Sequence, residues 1–149
     1  MAVTKEFFNN FIKDMGLQRV NLSTDVFKVF LVNGYTFDAT HEQKDQISGE
    51  PLTGYGYTAG GQALANPDWD YDLVNGFTRF DTDDVTWTGD GGDIGPITGA
   101  VIYNSSITEP NTNRLMCYID FGETTTISQN SQFKLTFHSD GVFSLTQDA

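Results

Sequence analysis

Few side chains in this 149-residue chain suit covalent or proton-transfer chemistry, and they are scattered. The candidates are His41, His138 and the single cysteine, Cys117. A hydrolytic centre needs a nucleophile beside a base, with a third group orienting the base. His41 lies in a polar stretch and His138 near a turn, and neither sits in a recognisable motif. Cys117 alternates with Leu115 and Ile119, which predicts a thiol on the apolar face of a strand. Because it is alone, it forms no intramolecular disulfide. The expectation is a protein with no catalytic residues.

Three binding chemistries remain. Gly54-Tyr55-Gly56-Tyr57-Thr58-Ala59-Gly60-Gly61 is glycine-rich, but no Gly-Lys-Ser/Thr follows it, so it is no phosphate loop. The dinucleotide fingerprint fails too, because its spacing from Gly54 and Gly56 reaches Ala59. Structural glycines are the expectation. Asp81, Asp83, Asp84, Asp90 and Asp93 are the best metal candidates, and calcium takes several carboxylate oxygens. Counted from Asp81, Gly92 occupies the place of the closing glutamate, so the reading is an acidic turn without a metal. Trp69, Tyr71, Trp87, Tyr55 and Tyr57 could stack on a sugar, although aromatics on sheets more often fill a core or an interface. No cofactor is expected.

The charge balance narrows the partners. Twenty acidic residues against eight basic ones give a formal charge of −12. Nucleic acid is held through Lys and Arg on phosphates, and anionic membranes repel such a chain, so neither is expected as a partner. An acidic surface favours solubility, or a basic partner. Asn9 and Asn10 interrupt any signal-peptide core, and no run of about 18 apolar residues exists. The sequence is expected to be made in a cytosol.

The elements that would position these residues are short. Val3, Phe7, Phe8, Phe11, Ile12 and Met15 recur at helical spacing and predict a helix over residues 1–16, with Thr4 as N-cap and Gly16 just past the end. Its phenylalanines either pack on their own sheet or dock on a neighbouring subunit. Residues 26–32 read as a strand, and Asn33-Gly34 predicts a tight hairpin pairing Val32 with Tyr35 and Phe30 with Phe37. Residues 38–61 form a long polar excursion ending in the glycine-rich segment, a candidate binding loop containing His41. Strands follow around Phe77 and Arg79, over 85–88, 97–104 and 114–121. Residues 132–138 and 142–145 predict a closing hairpin, with Phe137 opposite Phe143, Leu135 opposite Leu145, and Gly141 left-handed. Seven to nine short strands after one helix predict a single, mainly β domain over residues 1–149, an antiparallel β-sandwich or jelly roll with one short N-terminal α-helix.

Several segments in order resemble small structural proteins of tailed-phage virions. Asp45-Gln46-Ile47 leading to Gly54-Tyr55-Gly56-Tyr57-Thr58-Ala59-Gly60-Gly61-Gln62-Ala63-Leu64 resembles a polar loop followed by a Gly-Thr-Gly-Tyr-Thr-Ala-Gly-Gly core, with Tyr55 in place of the Thr and a longer spacer. Phe80 to Trp87 resembles an acidic strand ending in Trp, and Gly99 to Asn104 a central strand. Leu115 to Gly122 and Phe133 to Leu145 resemble the last strands.

The resemblance implies a decoration or cement protein bound to the major capsid protein on the capsid exterior of a tailed bacteriophage. It would be made in the host cytoplasm. The alternative is a tail or neck component of the same virion. Symmetry on a lattice would make it a homo-oligomer, a trimer or a dimer. On this reading the partner-binding residues are Phe7, Phe8 and Phe11 of the helix, His41 of the loop, and Tyr55 and Tyr57. The corner near Asp81 would face solvent or a basic capsid edge.

Overall fold

The computed structural model describes residues 3–146. Its elements run β1 (Thr4–Phe7), α1 (Asn9–Gly16), β2 (Phe27–Val32), β3 (Gln62–Ala63), β4 (Asp68–Asp72), β5 (Phe77–Asp81), β6 (Val85–Thr88), β7 (Ile94–Asn104), β8 (Arg114–Ile127), β9 (Gln132–Leu135) and β10 (Phe143–Leu145). Every pairing between these strands is antiparallel. The protein is mainly β with one short helix, and its layers form a β-sandwich.

The near-continuous apolar run of β2 decides the architecture. A strand with one wet face alternates apolar and polar residues, whereas one buried on both faces does not. Strand β2 lies inside a five-stranded sheet ordered β1-β8-β7-β2-β3. Phe27, Val29 and Leu31 face one core, joined by Ala100 and Ile102 of β7 and by Cys117, Ile119 and Phe121 of β8. Phe30 and Val32 face a second core with Val101, Tyr103, Leu115 and Tyr118. Met116 is a bulged residue, since Ile102 pairs with Cys117 and Tyr103 with Leu115, and its side chain joins the first core.

Two small sheets cover the first face: β10-β5-β4 and β6-β9. The second face is covered by the chain after β2, through Tyr35, Phe37 and Ile47. Tyr35 and Phe37 lie against Tyr118, at 5.2 and 6.1 Å between ring centroids. The expected hairpin at Asn33-Gly34 therefore does not form. One edge of β2 is taken by β7 and the other by β3 at Lys28 and Val29 and by the later loop at Leu31 and Asn33, and burying Tyr35 and Phe37 on the sheet face outweighs pairing them at its edge.

The N-terminus also departs from expectation. The helix begins at Asn9; Thr4 does not cap it but pairs with Asp120 as the first residue of β1. Met1 and Ala2, in the predicted helix, lie outside the described residues, as do Gln147–Ala149. Phe7 packs on the first core and Phe8 is buried in the second. Only extended backbone sends neighbouring side chains to opposite faces, and Phe8 holds φ −73° and ψ 143°. From Asn9 the helix is tied to β8. Asn10 donates to the Leu115 carbonyl at 2.9 Å, and Asp14 accepts Arg114 at 2.5 and 3.2 Å. Both ends of that ion pair are buried, and Arg19 adds a third contact at 3.1 Å.

The closing hairpin is corrected as well. His138 and Gly141 form the turn, with Gly141 left-handed at φ +88°. The flanking segments then separate: Leu135 pairs with Val85 of β6, and Phe143 with Phe80 of β5. The turn passes the chain from one small sheet to the other, and each side gains a partner strand carrying its own core aromatic.

Candidate functional site

His41 is half-buried beside Tyr35. The Tyr35 hydroxyl lies 2.9 Å from His41 Nδ1, and Asp38 lies 3.8 Å from Nε2. This Asp–His–Tyr order resembles a relay. Activation of a phenol needs its pKa lowered, but burial, the largest influence, raises that of Tyr35. The carboxylate of Asp38 is held below its usual range by the Thr40 hydroxyl and N–H. The three groups form a cap that closes the loop start over the second core.

The long loop is fastened along the part of the β2 edge that β3 leaves uncovered: the Asn33 N–H donates to the Gly49 carbonyl at 2.8 Å, and the Leu31 N–H to the Tyr57 hydroxyl at 3.1 Å. Tyr57 in turn donates to Glu50 at 2.9 Å. Glu50 also accepts the Gly60 N–H and the Lys44 ammonium, each at 2.5 Å. Lys44 sits 4.6 Å above the Phe30 ring, and Tyr103 donates to the Gly60 carbonyl at 2.7 Å. Burial, reinforced by Glu50, pushes the Tyr57 phenol far up and that of Tyr103 to about 12. Gly61, at φ +77°, lies where a Cβ would stand 1.9 Å from the Val29 carbonyl oxygen. The glycine-rich segment thus seals a strand edge at backbone-to-backbone distance. Its hydroxyls and carboxylate are spent on one another and offer little to a ligand.

Of the remaining chemical candidates, all but the exposed Asp90 are engaged or buried. Cys117 is fully buried, which pushes its thiol up to about 12. Asp81 caps Thr82, Asp83 accepts Asn66, Asp84 takes Lys134 and the Phe137 N–H, and Asp93 accepts the Gln129 N–H. Among the described residues no three His, Cys, Asp or Glu gather as a metal site.

The surface that stands open is apolar. In β10-β5-β4 the register aligns Trp69, Phe80 and Phe143 in one row facing the first core, and Tyr71, Thr78 and Leu145 in the next row on the same face. The first row lies against Phe7, Phe11, Phe27 and the helix. The second row lies beyond that cover. Leu145 and Ile12 line a groove of about 330 Å³ with Phe7, Phe11, Met15 and Phe143, and every lining side chain is apolar. Tyr71 and Leu145 are each 53% exposed, Ile12 63%, and Leu73 and Val74 at the hairpin tip 85% and 91%.

Of the residues singled out from sequence, Phe8, Phe11 and Tyr57 make internal contacts and are buried. Phe7 keeps part of its ring at the groove, and Tyr55 is exposed beside Leu52. The structure brings Phe7 and Phe11 together at 5.9 Å, and leaves His41, Tyr55 and Tyr57 outside the groove. Sequence reasoning missed Ile12, Leu145, Leu73 and Val74. The signal was Asp68-Trp69-Asp70-Tyr71-Asp72 running into Leu73-Val74, two aliphatics at a turn where polar residues are usual.

Comparisons with protein-family models, with curated proteins and with solved structures returned no match. No helix among the described residues is long and apolar enough to cross a membrane.

Proposed function

We propose that this protein is a structural component of a tailed-phage virion that binds the major capsid protein shell as a decoration or cement protein. The observation that carries the reading is the uncovered second row of the β10-β5-β4 face, where Tyr71 and Leu145, with Ile12 of the helix across the groove from Leu145, continue a core that the chain itself does not close. Contiguous exposed apolar surface marks interaction sites. The ordered resemblance of the sequence to small virion proteins supplies the class of partner.

The mechanism is mass action. A ligand that binds only the assembled shell stabilises that state in proportion to its occupancy. Repetition on a lattice makes modest affinity at each site sufficient. The rigidity of the frame helps, because little ordering remains to offset the gain on binding. The frame here is set by a sheet buried on both faces and by the Asp14–Arg114 pair.

The test uses shells assembled from a tailed-phage major capsid protein encoded in the same genome as this chain. Purified protein should bind their exterior at many equivalent positions and raise their disruption temperature. Density confined to one vertex would instead assign the protein to the neck or tail. Absence of binding at micromolar concentration would contradict the virion reading.

A further inference from the structure

We propose that the β4–β5 hairpin is the docking finger of this protein, and that its partner presents an apolar socket rimmed by Lys and Arg. The inference rests on the virion reading for the identity of the partner and on the hairpin itself for the chemistry.

The tip is built, not loose. Asp72 accepts the N–H groups of Val74 and Asn75, each at 2.9 Å, and the Asn75 side-chain amide at 3.0 Å. The Gly76 N–H closes the turn on the Asp72 carbonyl at 2.8 Å. These bonds fix the backbone that carries Leu73 and Val74 into water. Two aliphatic side chains on a fixed turn lose little freedom when a partner covers them. They add nothing to the chain's own core, so their cost in solubility is unexplained by folding.

The charge pattern specifies the socket. Along β4 the side chains alternate: Trp69 and Tyr71 on the inner face, Asp68, Asp70 and Asp72 on the outer. Asp81 lies opposite Asp68, and among the described residues of β4 and β5 the outer face holds one cation, Arg79, which is bound to Asp72 at 3.7 Å and to the Ser139 carbonyl at 2.8 Å. The finger is therefore apolar at its tip and inner face and acidic along its back. A second copy of this chain would bring the same acidic back and a net charge of −12, so pairing of two copies through this finger is opposed. A basic rim around an apolar centre complements both features.

The experiment measures binding of three proteins to the capsid shells described above, at low and at physiological salt. Leu73→Ser with Val74→Ser should weaken binding at least tenfold at both salts, with an unchanged melting temperature. Asp68→Asn with Asp70→Asn should slow association several-fold and flatten its salt dependence. Wild-type affinity in the Leu73/Val74 variant would overturn the finger, while binding by the wild type upholds the virion reading. Wild-type binding that does not weaken with salt would overturn the basic rim. A wild-type oligomer that the Leu73/Val74 variant dissolves would make a second copy the occupant and overturn the proposed partner. Shells that bind none of the three would overturn the virion reading and the socket with it.

Discussion

The loop over residues 33–61 and the β4–β5 hairpin both leave the sheets, and they are fastened in opposite ways. The loop is long, polar and rich in glycine, yet its groups turn inward. Glu50 holds Tyr57, Gly60 and Lys44, and the chain lies against the edge of β2 at Gly61. The hairpin is short and regular, yet its apolar residues are left exposed at Tyr71, Leu73 and Val74. Length and polarity mark the loop as a binding element, but the destination of each side chain assigns it to covering a sheet. On the proposed function, binding falls to the region where apolar surface is left over.

Four outcomes would break or sharpen that contrast. Glu50→Ala should have the largest effect. It strands a phenol, an N–H and an ammonium that are mostly shielded from water, and removing one partner of such a pair costs about 3–5 kcal/mol. Thermal melting should fall by roughly 10 °C or more. Retention of wild-type stability would mean that the loop is not a structural cover.

Gly61→Ala should follow, at about 2–4 kcal/mol, through its left-handed backbone and the contact with Val29. Denaturant unfolding would measure it, and a loss below 1 kcal/mol would show that the loop can lift from the strand.

The third outcome is a pH dependence seated on both faces of the buried sheet, Cys117 on the first and Tyr103 and Tyr118 under the loop on the second. Burial raises the Cys117 thiol from 9.0 to about 12 and the Tyr103 and Tyr118 phenols from 10.0 to about 12, and Tyr57 is raised further. The unfolded chain releases these protons at ordinary pH values while the folded chain keeps them. The folded state therefore holds more protons above about pH 9, and its stability falls as pH rises from there toward 12. Urea midpoints across that window should decline, and Cys117→Ala should delay the onset toward pH 10. A flat profile would contradict burial of these groups.

The smallest effect belongs to the hairpin. Leu73→Ser with Val74→Ser should change stability by no more than about 0.5 kcal/mol, because neither side chain supports the fold. A larger loss by calorimetry would show that the tip packs on the chain itself.

Much of the fold could be read in the sequence, for reasons that residues make plain. The alternation of Cys117, Ile119 and Phe121 placed one face of β8, although the bulge at Met116 turns Leu115, expected on that face, to the other core; Gly141 marked a left-handed turn. The run 26–32, apolar except for Lys28, also carries the reason for the long loop, since a strand buried on both faces requires a second cover. Taken by itself, Asn33-Gly34 reads as a hairpin. The N-terminal phenylalanines fit a helical period as well as an extended one. Only the presence of two cores, one for Phe7 and one for Phe8, separates the two. The candidate surface was less legible. Leu145 and Tyr71 are 74 positions apart and become neighbours through Thr78 alone, and that pairing is a tertiary fact.

Hydrogen exchange of the protein free and bound to capsid shells compares the two regions in one measurement. The account predicts new protection across residues 71–78 and 143–145 on binding, with exchange in residues 38–61 unchanged. Protection confined to residues 38–61, with the hairpin exchanging as in the free protein, would contradict it.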